Sequence, residues 1–457
     1  MIYFLKMNEA KKKRFWHLNY LLIGCMMLGM SVNAQQALDV DQVEVQLRGY
    51  LPSPMPDRVI LNLSESPLNV LNVNWRTSVD QTEGVLEWSE ATHSSSFFET
   101  IRSQQAKSEF LSVRHETNST IEAYYHSAQM TDLVPGKVYV YRVGAGDHWS
   151  EWFQVSIPDP EKEGLSFLYL GDAQNGVRDH WSRLIRQAYK HFPDAAFSIH
   201  AGDLINRHND DFEWGEWFYA GGFIHATVPS MMTPGNHEYG KDELLSPQWR
   251  PQFNLPLNGP KGLEETCYQI NYPNLKLVSL NAEEIEESPY LKHQQVIWLD
   301  SILANDPRKW TVVTIHHPFY STKANRDNAD LRKHFKPIID KYQVDLVLQG
   351  HDHAYGRGMI GPSQHGGIDE VKAEKEGTVY VVSMAGIKMY DAEDYPWMER
   401  KASKTQTYQV IHLSNDSKLQ FEAYTIHGEL YDAFELIKGP DGRNELVNRI
   451  PDTPEYE

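Results

Sequence analysis

Cysteine and basic residues are scarce in this sequence. Its 457 residues include only 2 cysteines, Cys25 and Cys267, so a scaffold held together by several disulfides is excluded. Acidic residues outnumber basic ones and give a formal net charge of −19, which argues against nucleic acid or an anionic membrane surface as a general partner. Hydrophobic residues make up 41% of the chain, which is typical of a globular protein, here of two or three domains.

Residues 1–34 have the organisation of a signal peptide. Basic residues at 11–14 precede an apolar stretch that ends in small residues at 32–34, and no later run is long enough to span a bilayer. The sequence therefore predicts export to the periplasm or the extracellular space. The alternative is a lipoprotein anchored at Cys25, because residues 22–25 resemble a lipobox, although the apolar run continues beyond this cysteine.

Residues 35–158 are predicted to form an all-β domain. Segments with strand-like alternation, at 58–63, 70–75 and 137–143, are separated by turns, and no long helical period interrupts them. A β-sandwich accounts for this pattern. The segment that follows, up to residue 164, is rich in proline and acidic residues and is the predicted linker.

Residues 164–457 alternate between strand and helix patterns and predict an α/β fold. A buried strand at 166–170 is followed by a helix at about 178–191. Residues 359–376 are polar and contain glycine, which indicates an insertion loop. Later strands are expected to complete a second sheet; they are 378–384, 408–413 and 419–425.

Five polar clusters stand where predicted strands of this region end. They are residues 171–174 (Gly-Asp-Ala-Gln), 202–206 (Gly-Asp-Leu-Ile-Asn), 235–238 (Gly-Asn-His-Glu), 315–317 (Ile-His-His) and 350–353 (Gly-His-Asp-His). Open α/β sheets place their sites at the carboxyl ends of strands. Carboxylates, amides and imidazoles together are the ligands of divalent metals. The sequence therefore predicts a metal site at this edge.

The order of the clusters suggests a site for two metal ions. Asp203 is central and is the natural bridge, because one carboxylate can span two ions about 3.5–4 Å apart. Asp172 would serve one ion, and Asn236 with His316 the other. His237 directly follows Asn236 and is left to face the substrate.

The fifth cluster contributes two histidines. His351 and His353 alternate along a segment expected to be extended, so each is predicted to point to a different ion. His317 is expected to point away from His316 and to have a structural role, and Glu238 is expected to orient neighbouring ligands.

These clusters resemble those of the calcineurin-like metallophosphoesterases, and the whole layout resembles the purple acid phosphatases. The third and fifth clusters match that family's Gly-Asn-His-Glu and Gly-His-x-His motifs in full, and the fourth matches at His316. The N-terminal region is similar to the family's fibronectin III-like domain, through residues 56–58, 75–77, 141–144 and 149–151. The resemblance implies a metallophosphoesterase sandwich of two mixed sheets flanked by helices, preceded by that all-β domain.

Two positions depart from the family pattern. Asn206 stands where the purple enzymes carry a metal-binding tyrosine. Gln174 stands where they have glycine and where related phosphoesterases often have a metal-binding histidine. An amide oxygen can coordinate a hard cation, so Gln174 is predicted to be a ligand, the alternative being a hydrogen-bond donor to the ligands. Asn206 is predicted to be a loop residue or one that supports the ligands.

The resemblance implies an enzyme that hydrolyses small phosphate esters, and the predicted signal peptide implies that it is secreted. Two divalent ions (Fe, Zn or Mn) would be held by ligands from every cluster, namely Asp172, Gln174, Asp203, Asn236, His316, His351 and His353. A metal-bound hydroxide would attack phosphorus, and His237 would assist the leaving group. Candidates for gripping the phosphate are Arg207, Arg326 and Arg357.

Other functions fit the same sequence. A phosphodiesterase or nucleotide pyrophosphatase of this fold would use the same ligands. A binding protein is a further alternative, in which the sandwich engages a partner and the second domain is degenerate, since the tyrosine and the first-cluster glycine of the family are absent.

The missing tyrosine predicts a colourless protein. A phenolate ligand both stabilises Fe(III) and gives the purple enzymes their colour, and Asn206 supplies none. We expect the metal-loaded protein to lack broad visible absorption and to work best at neutral or alkaline pH. An absorption spectrum of the purified protein tests this, and a purple protein would contradict it.

Overall fold

Strands dominate the computed structural model, which describes residues 49–114, 120–362, 367, 369–374 and 376–457. Residues 52–457 form one compact unit. The predicted signal peptide and Cys25 lie outside the described residues. In chain order the described strands are β1 Asp57–Leu63, β2 Leu71–Thr77, β3 Val85–Glu90, β4 Arg102–Gln105, β5 Lys107–Arg114, β6 Thr120–Met130, β7 Val138–Ala145, β8 His148–Trp149, β9 Phe153–Ser156, β10 Leu165–Leu170, β11 Ser198–His200, β12 Ser230–Met232, β13 Tyr268–Asn271, β14 Leu275–Leu280, β15 Trp310–Ile315, β16 Leu346–Gln349, β17 Tyr355–Ile360, β18 Thr378–Val382, β19 Arg400–Ala402, β20 Thr407–Leu413, β21 Lys418–Thr425, β22 Leu430–Lys438 and β23 Asn444–Asn448.

Among the described residues, the helices lie from residue 160 onward, apart from short turns. They are α1 Pro160–Glu163, α2 Ser182–His191, α3 Asp211–Gly221, α4 Trp249–Gln252, α5 Ala282–Glu287, α6 Pro289–Asn305 and α7 Ala329–Lys341. A single π-helical turn, Val177–Trp181, leads into α2. In α2 the buried residues Leu184, Ile185 and Ala188 recur at helical spacing, which explains why this segment packs as an amphipathic helix against β20.

The predicted all-β N-terminal domain is confirmed. Strands β1, β2, β6 and β5 form one antiparallel array, and β4, β3, β7 and β8 form a second sheet, with β9 also paired to β7. Between them lies a core of aliphatic and aromatic side chains, among them Val73, Trp75, Leu86 and Tyr141. The first array continues into the next region, because β1 pairs in parallel with β12 through Asn62 and Ser230.

The second region contains the predicted mixed sheets flanked by helices. Parallel strands β10, β11 and β12 continue through antiparallel β20 to β23, and parallel β14, β15, β16 and β18 are bordered by β13, β17 and β19. The expectation that β18, β20 and β21 share a sheet is wrong. β18 pairs with β16 in one sheet, whereas β20 pairs with β10 in the other. A strand pattern identifies a strand but not its partner.

Both parallel arrays end at the same edge of the molecule. An isolated bridge joins Asp172, just after β10, to Met384, just after β18. The backbone N–H of Gly350 donates to the carbonyl of His316 at 3.0 Å, which ties the loop after β16 to the loop after β15. The loops that carry the polar clusters are therefore linked by backbone hydrogen bonds.

A buried ion network joins the sandwich to α3. Arg58 of β1 donates to both carboxylate oxygens of Asp211 at 2.9 Å, and Arg76 of β2 donates to the same carboxylate at 3.1 Å. Arg76 also pairs with Asp57 at 2.7 Å. The side chains of Arg58, Arg76 and Asp211 are at most 4% exposed, so each charge depends on its partners.

Replacing Asp211 by alanine is expected to destabilise the protein by about 3–5 kcal/mol, because it leaves two buried guanidinium groups without their shared carboxylate. Denaturant unfolding of the purified variant measures this. The control is Glu90→Ala, which removes the partner of Lys137 in an exposed pair and is expected to cost at most about 1 kcal/mol. Equal losses in the two variants would contradict the importance of the network.

Candidate active site

The structure brings the five polar clusters together where β10, β11, β12, β15 and β16 end. Donor atoms of Asp172, Asp203 and His316 all lie within 4.8 Å of one another, and the three residues are buried. Glycines allow this close approach. A Cβ on Gly202 would lie 2.7 Å from His316 Nδ1, and a Cβ on Gly350 would lie 2.1 Å from Asp172 Oδ1.

Asp203 occupies the centre of the cluster. Its Oδ1 lies 3.3 Å from Nε2 of His316 and accepts the backbone N–H of His237 at 2.9 Å. Its Oδ2 accepts a hydrogen bond from Nε2 of Gln174 at 2.5 Å. The two carboxylate oxygens therefore face different neighbours. A carboxylate that is shared between two halves of a site requires this arrangement.

The two histidines of the fifth cluster contact different parts of the site. Nε2 of His353 lies 3.2 Å from Oδ2 of Asp172, whereas Nδ1 of His351 lies 3.2 Å from Nε2 of His316. The expected extended segment is wrong, because His351 and His353 have φ of 72° and 53°. The side chains of His351 and His353 point to different neighbours because the backbone here is left-handed. In this conformation the backbone N–H of His351 donates to Asp172 Oδ1 at 2.9 Å.

Three imidazoles are oriented by backbone carbonyl groups. Nδ1 of His316 donates to the carbonyl of Ala201 at 2.8 Å, Nδ1 of His353 to that of Lys388 at 2.5 Å, and Nδ1 of His237 to that of Asn206 at 2.7 Å. A proton fixed on Nδ1 leaves the lone pair on Nε2. In His316 and His353 that nitrogen faces the carboxylates, and Nε2 of His237 lies 3.9 Å from Asp203 Oδ2.

The remaining predicted residues complete the cluster. Oδ1 of Asn236 lies 3.2 Å from Nε2 of His316. Gln174 is buried and presents its amide nitrogen to Asp203, while its Oε1 accepts from Asn175 at 3.1 Å.

Glu238 holds the loop of Asp203 in place. Its carboxylate accepts the backbone N–H groups of Asp203, Leu204 and Gly235 at 2.7–2.9 Å. It is completely buried, and burial together with the charge of Asp203 raises its pKa.

The cluster stabilises positive charge. Burial by itself lowers the pKa of His316, yet the carboxylates of Asp203 and Asp172 raise that pKa to about 10. Burial raises the pKa of Asp172, and the charge of Asp203 adds to this effect against the opposing charge of His316. Two buried carboxylates surrounded by imidazole and amide donors fit a divalent cation both in charge and in ligand type.

Comparison with known proteins assigns this site to a family. Residues 165–355 match the calcineurin-like phosphoesterase family, and residues 56–156 match the purple acid phosphatase N-terminal domain. The chain contains a calcineurin-like phosphoesterase domain preceded by a purple acid phosphatase N-terminal domain. Enzymes of this family are hydrolases that act on phosphate esters, and this metallophosphoesterase is one of them.

Relatives support the assignment across most of the chain. Acid phosphatase type 7 of Danio rerio is 27% identical over 362 residues, which is 70% of this chain and 79% of the relative. The Fe(3+)-Zn(2+) purple acid phosphatase 12 of Arabidopsis thaliana is 26% identical over 255 residues, a match that covers 51% of this chain and 52% of the relative. Purple acid phosphatase PPD1 from yellow lupin seeds shares the fold, with a TM-score of 0.70 and 18% identity over 85% of this chain and 75% of that one.

The predicted phosphate-gripping arginines have different surroundings. Arg357 is not at the site: it is completely buried in β17 and pairs with Asp432 at 2.7 Å. Arg207 pairs with Glu213 at 2.9 Å beside the site. Arg326 reaches the cluster, where it donates to the carbonyl of His351 at 3.2 Å. All three arginines are close in sequence to a polar cluster, so the sequence did not show which of them reaches the site.

Sequence reasoning missed residues around the metallophosphoesterase centre. His317 does not point away: its donor atom lies within 4.8 Å of those of His316 and His351. β15 ends at Ile315 and the chain bends, so strand alternation no longer applies. Lys388 also lies at the site, with Nζ 3.4 Å from Oε1 of Gln174, and no motif in the sequence marked it.

Glu213 of α3 fixes the loop that holds His237. Its Oε2 accepts the backbone N–H groups of Asn206 at 2.7 Å and Arg207 at 2.8 Å, and the carbonyl of Asn206 in turn accepts from His237. Glu213 is therefore a positioning residue for the imidazole of His237.

Replacing Glu213 by glutamine is expected to lower kcat about tenfold with little change in KM or metal content, since small displacements of a catalytic group can cost up to about 10²-fold. Steady-state kinetics and metal analysis of the variant measure this. Glu216→Gln, one turn further along α3, is the control and should match the wild type. A loss of metal or a change confined to KM would show that Glu213 does not act through His237.

Proposed function

We propose that this metallophosphoesterase uses two divalent metal ions to hydrolyse small phosphate esters. The proposal rests on the convergence of the strand-end side chains on Asp203, whose Oδ1 faces His316 and whose Oδ2 faces Gln174. One ion would be held by Asp172, Gln174 and His353, the other by Asn236, His316 and His351. Gln174 would offer its oxygen after rotation of its amide, and Asp203 would contact both ions.

Bound cations lower the pKa of water toward about 7 and neutralise charge on a phosphoryl group. The protein supplies the geometry for this chemistry. Glu238 and the glycine-containing turns hold Asp203, and the carbonyls of Ala201 and Lys388 hold His316 and His353. A donor set fixed in this way does not have to reorganise when substrate binds.

His237 is proposed to act on the leaving group. Its ring is a quarter exposed, in contrast to the buried imidazoles of His316 and His353, so it remains accessible to a substrate. The bond from Nδ1 to Asn206 directs Nε2 toward the cluster, where it can hydrogen-bond the phosphoryl group or give a proton to the departing oxygen.

Export is part of the proposal, since residues 1–34 have the pattern of a signal peptide. Among the residues that the structure describes, no helix combines the length and apolar character that crossing a membrane requires.

His237→Ala is expected to reduce turnover by about 10²–10⁴-fold while metal content stays unchanged, because the side chain assists the reaction without holding an ion. Metal analysis of the purified wild type should find about two equivalents. Turnover of p-nitrophenyl phosphate and bis-p-nitrophenyl phosphate then ranks monoesters against diesters.

Loss of metal in His237→Ala would make His237 a ligand instead. A wild type that retains no metal and hydrolyses neither ester after Mn, Zn or Fe supplementation would support a non-catalytic binding protein.

A further inference from the structure

Two half-buried lysines lie beside the cluster without a carboxylate partner among the described residues. Nζ of Lys388 is 3.4 Å from Oε1 of Gln174, and Nζ of Lys323 lies 3.9 Å from the ring centre of Tyr390. Other lysines nearby in the chain form ion pairs, such as Lys401 with Asp394 and Lys404 with Asp391. In a chain with a net charge of −19, half-buried cations without counter-ions indicate an anion-binding function.

The segment that carries Lys388 is fixed to the cluster itself. The backbone N–H of Gly386 donates to the carbonyl of Asp172 at 2.6 Å, and the N–H of Tyr390 donates to the carbonyl of His353 at 3.0 Å. The backbone carbonyl of Lys388 also accepts a hydrogen bond from Nδ1 of His353. The ammonium group is therefore held near the site before a ligand binds, which lowers the entropic cost of binding.

Lys388 lies on the side of Asp203 where the leaving group is expected. Oδ2 of Asp203 faces Gln174, the neighbour of Lys388, and lies 3.9 Å from Nε2 of His237. His316 lies on the side of Oδ1. Since His237 is proposed to assist the departing oxygen, the leaving group extends on the Oδ2 side, toward Lys388.

The opposite side of the site is acidic. Oε1 of Glu286 lies 3.4 Å from Nδ1 of His317, and Glu283 is close enough to interact electrostatically with His316 and Asp203. An anionic leaving group would be repelled there and attracted at Lys388, so the charge distribution selects one orientation of the substrate.

We propose that Lys388 binds a second anionic group carried by the leaving group. The preferred substrates are then phosphate esters of alcohols that bear a carboxylate or a further phosphate. This inference rests on the proposed function and names the substrate class of the same site.

The test compares matched substrates on the metal-loaded protein. Glycerol 3-phosphate and 3-phosphoglycerate differ by one carboxylate, and fructose 6-phosphate and fructose 1,6-bisphosphate differ by one phosphate. Lys388→Met should lower kcat/KM about 10- to 100-fold for the more anionic member of a pair and less than about threefold for the other, since a charge-assisted hydrogen bond is lost. The two pairs distinguish a carboxylate from a phosphate as the preferred group.

Lys137→Met, on the far domain, is the control and should leave the preference unchanged. Equal losses on both members of each pair would overturn the proposal, because Lys388 would then act on the transferred phosphoryl group or on the metal site. No loss at all would overturn it as well. If the wild type hydrolyses none of the four esters, the proposed function fails, and calorimetric binding of the same pairs then tests the subsite. The more anionic member of each pair is expected to bind more tightly, and Lys388→Met should remove this difference. Equal binding of the two members to the wild type would contradict the subsite.

Discussion

The burial of two carboxylates beside one another is the constraint on which this structure depends. Asp172 and Asp203 are each 1% exposed, and two desolvated negative charges in one place are costly unless positive charge and hydrogen-bond donors compensate them. Backbone N–H groups of His351 and His237, the amide of Gln174 and the imidazole of His316 supply part of that compensation. The demand for further positive charge is what makes the cluster suited to divalent cations.

That cluster also has a mechanical connection to the N-terminal domain. Arg58 and Arg76 hold Asp211 at the start of α3, and Glu213, two residues later, holds the loop whose carbonyl orients His237. The sandwich is therefore more than an appended module, because its arginines anchor the helix that positions a residue proposed to take part in catalysis. Charge arranged around the cluster, with Lys388 on one side and glutamates on the other, would then orient the substrate.

Much of this could be predicted from the sequence, for a physical reason. Strand and helix periods identified the two regions, and the polar clusters fell where strands end, so their convergence followed from parallel strands sharing one edge. The turn at His351 and His353 could not be predicted, because the left-handed backbone there has no periodic signal. The inward position of His317 was missed for a related reason, since the chain bends directly after β15.

What the sequence by itself determined is local: which segments are strands, which side chains end them, and which donor types the clusters offer. Only the tertiary structure decided partners that are distant in the chain. It assigned β18 and β20 to different sheets, buried Arg357 against Asp432, and brought Lys388 to Gln174. Such contacts join residues that are far apart in the sequence and depend on how sheets and loops pack. The spacing of residues within one segment therefore does not predict them.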